Sequence, residues 1–422
     1  MKPSLIVASN SWNYDNVGGA YKIATDFAIF CAEKGWDVHF ICAHELGKGE
    51  KPGIECGVKV WRYSKPKKSG KGTSLENFYG HLRGSGKIFR KISATVGHDR
   101  TFILNGHTAL QYLGILNAAN NHSVSSKAIS VHSPLADEYL AENGKPPFTL
   151  KARLASWLLR KIESSCYQKS DVIQCDSEFT QSLLQKSFQK ETHQRLAVCP
   201  GYVDFEQFSL INMPRSQARE KLGTHIWPLD EVCLFSLRRH VERTGIDNLI
   251  KAIDWLRTKL KPNSNHLKFR LIIGGDGPLK PKLEALTATL NLNSHIKFIG
   301  KISESEVALA YRAADCFVLP SRSLECFGLV ILESFAVGTP VIATPVGAIP
   351  EVLGPFAADS LADGTSPEDI GKTILKFFIE GRHRYRAVDS SIDLYQYARK
   401  YEKKTILSRL ENIVIQGQLT SA

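Results

Sequence analysis

Short apolar runs, each long enough for one buried strand, alternate with amphipathic stretches along most of the chain. This alternation restricts the fold more than any other feature. Leu5-Ile6-Val7-Ala8 reads as a buried strand. Tyr21 to Lys34 has a helical period, with Ile23, Phe27, Phe30 and Cys31 on one face. Gly35 stops that helix, and Asp37-Val38-His39-Phe40-Ile41-Cys42 follows as a strand. Strand, helix and strand in that order make a βαβ unit, which requires a parallel sheet and a right-handed crossover. Further strands are expected at Thr101–Leu104, Ala128–Val131, Val172–Gln174 and Leu196–Cys199. The stretch 208–230 holds Pro214 and Pro228 and has no clear strand, so the domain join belongs near its start. A second series follows, with strands at Val232–Leu237, Phe269–Ile273, His295–Ile299, Cys316–Pro320 and Val341–Ala343. Helices are expected between them at Ile246–Leu260, Leu279–Leu290, Glu304–Ala314 and Leu329–Val337. Gln396–Val414 reads as a basic amphipathic helix. The pattern predicts an α/β chain of two doubly wound parallel-sheet domains, 1–208 and 209–395, with the helix at 396–414 packing back on the first. Ligands of such sheets bind at the carboxyl ends of the strands.

Composition narrows the class. Of 422 residues, 43% are hydrophobic and 23% charged, as in soluble globular proteins. The nine cysteines form no CxxC pair, which gives no support to a zinc or redox motif. Cys42, Cys175, Cys233 and Cys316 lie in apolar runs and read as core residues. The odd count and the absence of a signal-like leader point to a reducing cytoplasm. No run approaches the ~20 apolar residues that span a bilayer. The formal net charge is +12, and part of it is concentrated between Arg62 and Arg100, in Lys65, Lys67, Lys68, Lys71, Arg83, Lys87, Arg90 and Lys91. Only Glu76 and Asp99 oppose these cations. A solvated surface, an anionic membrane to which the protein is peripheral, and a phosphorylated acceptor all fit this charge. No zinc-finger, RRM or KH signature supports nucleic acid.

The most informative stretch is Glu325-Cys326-Phe327-Gly328-Leu329-Val330-Ile331-Leu332-Glu333, which follows a strand and opens a helix. Gly328 allows close approach of backbone to a ligand. The unpaired amides of the following turn, with the helix dipole, make an anion site suited to a diphosphate. Glu325 before the helix and Glu333 one turn inside it can bracket the hydroxyls of a sugar nucleotide, although from spacing alone a helix-start charge and a surface glutamate fit equally.

This spacing resembles that of the retaining glycosyltransferase family 4, whose members have the GT-B fold. The resemblance also rests on Ala336-Val337-Gly338-Thr339-Pro340-Val341-Ile342-Ala343-Thr344 and Gly347-Ala348-Ile349-Pro350-Glu351 downstream. Upstream it continues through Ala313-Ala314-Asp315, Gly274-Gly275-Asp276-Gly277-Pro278, Arg239 to Leu249, and Tyr202-Val203-Asp204 with Phe208. It covers nearly all of the second half and weakens over the first. It implies two Rossmann-like domains facing a cleft and a nucleoside-diphosphate sugar as donor. By resemblance, Glu333 would bond the donor ribose and Glu325 the sugar hydroxyls. The backbone of Phe327, Gly328 and Leu329 would meet sugar and phosphates, and Arg239 would clamp the diphosphate. The family's lysine falls on Thr244, so Arg243 or Arg238 would have to supply the second cation. Gly18 and Gly19, in Asn16-Val17-Gly18-Gly19-Ala20, match the family's glycine-rich loop near the β-phosphate and acceptor. His132 matches a histidine that reaches the donor sugar. Gly275 matches the family's second-domain glycine motif, and the base would lie against Gly300 and Lys301. His107, Glu138 and Tyr139 are candidates for the acceptor side.

No Asp-x-Asp occurs in the chain, so no metal or other cofactor is expected. The acceptor could be a saccharide, a lipid-linked saccharide or a sugar phosphate. Two other classes compete. A nicotinamide oxidoreductase would need a GxGxxG after a strand, and none is present. A non-catalytic sugar-nucleotide binder would lack sugar-side residues, whereas Glu325 and His132 are both in position.

Overall fold

The structure, a computed structural model, describes residues 2–15, 19–44, 52–64, 74–97, 99–142, 148–260, 268–379 and 388–417. The chain packs as two compact units. The first comprises Met1–Tyr139, Phe148–Gly201 and Lys404–Ala422, and the second Leu140–Pro147 and Tyr202–Lys403. The division falls at 201/202, a few residues before the join read from the sequence at 208/209. Its cause is local pairing. Val203 N donates to Tyr401 O at 2.9 Å, and Lys403 N donates to Val203 O at 3.2 Å. Lys403 Nζ reaches Asp204 Oδ2 at 3.0 Å, and Phe208 is buried in the second unit's core.

The first unit holds β1 (Ser4–Ala8), β2 (Asp37–His44), β3 (Gly53–Glu55), β4 (Val58–Ser64), β5 (Phe102–Gly106), β6 (Val124–Val131), β7 (Val172–Cys175) and β8 (Leu196–Val198). Their order is β3-β4-β2-β1-β5-β6-β7-β8. Every pairing is parallel except β3 with β4. All five residues of β1 are buried, which explains its unbroken apolar run, because a strand covered on both faces has no polar side. The chain runs outward from β1 to β2 and β4, then resumes on the other side at β5. The order therefore reverses between β1 and β5.

The β3–β4 hairpin went unread in the sequence. Its two-residue turn, Cys56-Gly57, has positive φ at both positions, +49° and +78°, the geometry of a tight hairpin turn. The tail also differs from the single expected helix. It breaks at 400–402 into helices Val388–Arg399 and Lys403–Gln416. The second of these buries Ile406, Leu407, Leu410, Ile413 and Val414. It is bound to the first unit through Ser126 Oγ to Val414 O at 2.6 Å and Arg409 Nη2 to Val198 O at 2.8 Å.

The second unit holds β9 (Val232–Leu237), β10 (Phe269–Gly274), β11 (Ile296–Gly300), β12 (Cys316–Leu319) and β13 (Val341–Ala343), in the order β11-β10-β9-β12-β13. All pairings are parallel. Alternate side chains of β9 enter opposite cores. Cys233 and Phe235 join Tyr311 and Phe335 from helices Glu304–Ala313 and Leu329–Ala336. Val232 and Leu234 join Leu249, Ile253, Ile370 and Phe377 from helices Ile246–Lys259 and Pro367–Ile379. Here the strand order reverses between β9 and β12.

The lower end of β12 is anchored by a buried ion pair. Arg219 Nη2 donates to Asp315 Oδ2 at 2.6 Å, and Cys233 N donates to the same oxygen at 2.8 Å. Arg219 also donates to the carbonyls of Ala313 and Pro228. Removing one partner leaves the other charge buried, which costs about 3–5 kcal/mol. Arg219→Ala should therefore lower unfolding free energy by about that amount in urea titration; a loss below ~1 kcal/mol would mean the pair is not a structural anchor.

Candidate active site

In open parallel sheets a ligand site forms outside the carboxyl ends of the strands, where the order reverses. In the second unit this point brings together the loops after β9 and β12. Ser321 and Glu325 follow β12, and Arg238 follows β9. Arg238 Nη2 donates to Glu325 Oε2 at 2.5 Å, and Ser321 Oγ donates to the same oxygen at 2.8 Å. Burial alone pushes the Glu325 carboxyl upward, but Arg238, Ser321 and Arg243 outweigh it and hold the pKa below its ordinary value. Glu325 is thus an ionised carboxylate fixed in a buried setting.

Backbone closes around it. Gly347 has φ +61°, and a Cβ there would lie 2.1 Å from Glu325 O, so only glycine fits. Ala348 N then donates to Glu325 O at 2.8 Å. Gly328, at φ +93°, caps the helix Leu329–Ala336 in the left-handed region, and no side chain occupies the cap. Ile331 N donates back to Gly328 O at 2.9 Å, and the positive end of the helix lies beside Glu325. Phe327 is buried, and Leu329 is partly buried in the core. One turn on, Glu333 Oε2 accepts from Tyr311 OH at 2.8 Å. Burial pushes the Tyr311 phenol up, and the neighbouring Glu333 charge adds to this, so Tyr311 stays a donor. Tyr311 is held by Phe235 and Phe317, at ring distances of 5.5 and 5.1 Å.

The cations differ from one another. Arg239 is exposed over 60% of its side chain, and its Nη1 donates to Glu142 Oε1 at 2.7 Å. Arg238, its neighbour, turns inward to Glu325. Arg243 Nη1 donates to Leu324 O at 3.4 Å. Thr244 is buried, and its Oγ1 donates to the carbonyls of Arg239 and Val241 at 2.9 and 2.7 Å. It therefore ties the loop together where the family has a lysine. Gly275 N donates to Gly300 O at 2.7 Å, joining the ends of β10 and β11, and Lys301 is exposed beyond them. Arg238, Arg243, Gly275, Gly300, Glu325, Gly328 and Glu333 all lie at or after the carboxyl ends of β9, β10, β11 and β12.

The first unit's reversal point carries a second polar group. His132 follows β6, and its Nδ1 lies 2.8 Å from Asp176 Oδ2, after β7. His132 Nε2 lies 2.9 Å from His107 Nδ1, and His107 Nε2 lies 2.7 Å from Asn105 Oδ1. Both ring nitrogens of His132 thus have partners, and a sugar hydroxyl reaching either nitrogen must replace one. Burial, with His132 beside it, pushes the His107 imidazole well below its ordinary range, so it is neutral. A further ladder went unread in the sequence. Gln111 Nε2 donates to Asn10 Oδ1 at 3.2 Å and lies 3.0 Å from His81 Nδ1, while Asn10 Nδ2 donates to Tyr21 OH at 3.1 Å. Gly19 starts the helix Gly19–Glu33 beside it, and Gly18 lies outside the described residues. Glu138 and Tyr139 sit on helix Leu135–Glu142, whose first amides donate to Glu163.

Residues 218–400 match the family model described as Glycosyl transferases group 1. The match lies within the second unit, where the chain resembles GT4-type glycosyltransferases, and the two parallel-sheet units have the GT-B fold. The chain is 30% identical over 223 residues to the "GDP-mannose-dependent alpha-(1-6)-phosphatidylinositol monomannoside mannosyltransferase" of Mycolicibacterium smegmatis, a match covering 51% of this chain and 54% of that one. It is 28% identical over 307 residues to the protein of that name from Mycobacterium tuberculosis, covering 69% of this chain and 75% of the other. The first match therefore spans about half of that relative. Among solved structures, the sucrose-phosphate synthase of Thermosynechococcus elongatus superposes with a TM-score of 0.78 at 18% identity, covering 98% of this chain and 99% of that one.

The neutral state of His107 has a measurable consequence. A histidine whose folded pKa lies below its unfolded value of 6.5 binds its proton preferentially in the unfolded chain. Stability is then retained above that pH and lost as pH falls beneath it, by up to about 1.4 kcal/mol per pH unit. His107→Gln should flatten the acid limb of a stability–pH curve by that much. An unchanged limb would mean His107 is not held neutral.

Proposed function

We propose that the protein transfers a hexose from a nucleoside-diphosphate sugar to a hydroxyl of a saccharide-containing acceptor, with retention at the anomeric carbon and without a metal. The observation that carries this reading is the Glu325 carboxylate. It is fixed by Arg238 and Ser321 at the β9/β12 reversal, next to a helix start capped by Gly328. The diphosphate then lies on the helix amides, with Arg239 as an exposed, charge-assisted clamp. Glu333, held by Tyr311, accepts from the ribose, and Glu325 accepts from sugar hydroxyls. Arg238 keeps Glu325 ionised and in place, so it is a positioning residue and not the missing phosphate cation. Arg243, beside it, is the nearer substitute for the family lysine.

In the reaction the bond from the anomeric carbon to the diphosphate oxygen breaks. The acceptor oxygen bonds to the same face, and its proton passes to the departing phosphate. The protein contributes position and electrostatic stabilisation of the leaving group. Within the first unit, Asn10, Tyr21, His81 and Gln111 offer hydroxyl-matching donors and acceptors, and His132 is held by Asp176. GDP-mannose is the donor favoured by the names of the mycobacterial relatives, and a lipid-linked glycoside is the acceptor they favour. The likeness to sucrose-phosphate synthase favours a soluble sugar phosphate as the second reading.

Release of nucleoside diphosphate from GDP-mannose and UDP-glucose tests the proposal. Glu325→Ala should abolish release while nucleotide still binds. Glu333→Ala and Arg239→Ala should weaken donor binding by about 1.5–3 kcal/mol, the worth of a charged hydrogen bond. Near-normal turnover in all three variants would overturn the site. Among the described residues no cluster of His, Cys, Asp and Glu could hold a metal ion. Transfer should survive EDTA; loss restored by a divalent ion would defeat the metal-free reading.

A further inference from the structure

The basic helix of the tail offers no free apolar face, because Ile406, Leu407, Leu410, Ile413 and Val414 are buried in the first unit. The unpartnered apolar face is elsewhere. Eight large apolar side chains are exposed among the described residues, and three of them share one helix, Leu150–Lys169: Leu150 at 82%, Leu154 at 65% and Trp157 at 56%. At about 100° per residue, the spacing of these three confines them to an arc of about 60°. Lys161 falls within the same arc, and Lys151 and Arg153 flank it on its two sides, all three exposed. Lys161 Nζ sits 5.9 Å from the Trp157 ring centroid. The inward side of the helix is fully occupied, since Ile162, Cys166 and Tyr167 lie in the core. Its one acidic residue, Glu163, is buried and accepts from Leu135 N and Ala136 N. The outward face therefore presents apolar groups and cations with no carboxylate of its own.

We infer that this face docks the protein on an anionic lipid bilayer, with Leu150, Leu154 and Trp157 entering the headgroup boundary and Lys151, Arg153 and Lys161 meeting lipid phosphates. The charge decides the occupant. A second copy of a chain with a net charge of +12 would bring cations against cations, whereas an anionic membrane complements all three. Tryptophan beside lysine on a helix lying flat is also the composition of an interfacial contact. No helix of the described residues is long and apolar enough to cross a membrane, so the contact is peripheral. It holds whichever sugar or acceptor the protein uses.

Sedimentation of the full chain with phosphatidylcholine–phosphatidylglycerol vesicles, and with pure phosphatidylcholine vesicles, reads this directly. Binding should require the anionic lipid and weaken at high salt. Leu154→Ser/Trp157→Ser and, separately, Lys151→Glu/Lys161→Glu should each lower vesicle affinity by about tenfold or more. All four positions are exposed, so unchanged thermal unfolding should accompany the loss. Lys87→Glu/Arg90→Glu, on another basic helix, should bind as the unmodified chain does. No binding to anionic vesicles would overturn the inference. So would equal binding by both helix variants, or self-association abolished by Trp157→Ser without vesicle binding. None of these readings involves sugar transfer, so the transferase proposal stands or falls separately.

Discussion

An ionised carboxylate can stay buried only beside a fixed partner, and in this protein the partner of Glu325 is Arg238. The pair joins the loops after β9 and β12, the two strands between which the second sheet changes direction. Both side chains are about 10% exposed, so removal of either strands a charge in a poorly solvated place. The surrounding backbone is arranged to permit the pair. Gly347 brings its chain against Glu325 O where a Cβ would clash at 2.1 Å, and Gly328 turns the chain into the helix whose amides face the same edge. The edge-to-face and tilted cluster of Phe235, Tyr311 and Phe317 holds the phenol that donates to Glu333. Hydrophobic packing thus sets the position of a polar site.

The polar groups of the two units differ in kind. The second holds fixed charge and helix-end amides, the features that suit a diphosphate. The first holds polar groups linked in hydrogen-bonded chains: Asn105–His107–His132–Asp176, and Tyr21–Asn10–Gln111–His81. Such ladders suit hydroxyls, which both donate and accept. The group 1 match, over residues 218–400, falls within the second unit.

Legibility followed the range of the interactions. Strands buried on both faces were readable because such burial leaves an apolar run, as in β1, β9 and β12. The β3–β4 hairpin was not, because its turn uses Cys56 at positive φ in place of the usual asparagine or aspartate. The tail read as one helix since both pieces share a helical period, and the break at 400–402 comes from pairing with Val203, some 200 residues away. The motif Glu325–Glu333 was readable as a candidate site, but which of the adjacent arginines turns toward Glu325 was not. Successive side chains at a strand's end point opposite ways, so Arg238 turns inward and Arg239 outward for reasons of register alone. Asp176 was missed because its link to His132 spans 44 positions and leaves no local pattern. The exposed face of helix Leu150–Lys169 was missed for the converse reason: an apolar stripe in sequence does not reveal whether anything covers it.

The most direct test of the central claim is a double-mutant cycle on transfer, using Arg238→Met, Glu325→Gln and the pair together. If the carboxylate works only while the guanidinium holds it, the two losses should not add, and the double variant should lie within about 1 kcal/mol of the worse single one. Strict additivity, or full turnover in Arg238→Met, would contradict the account.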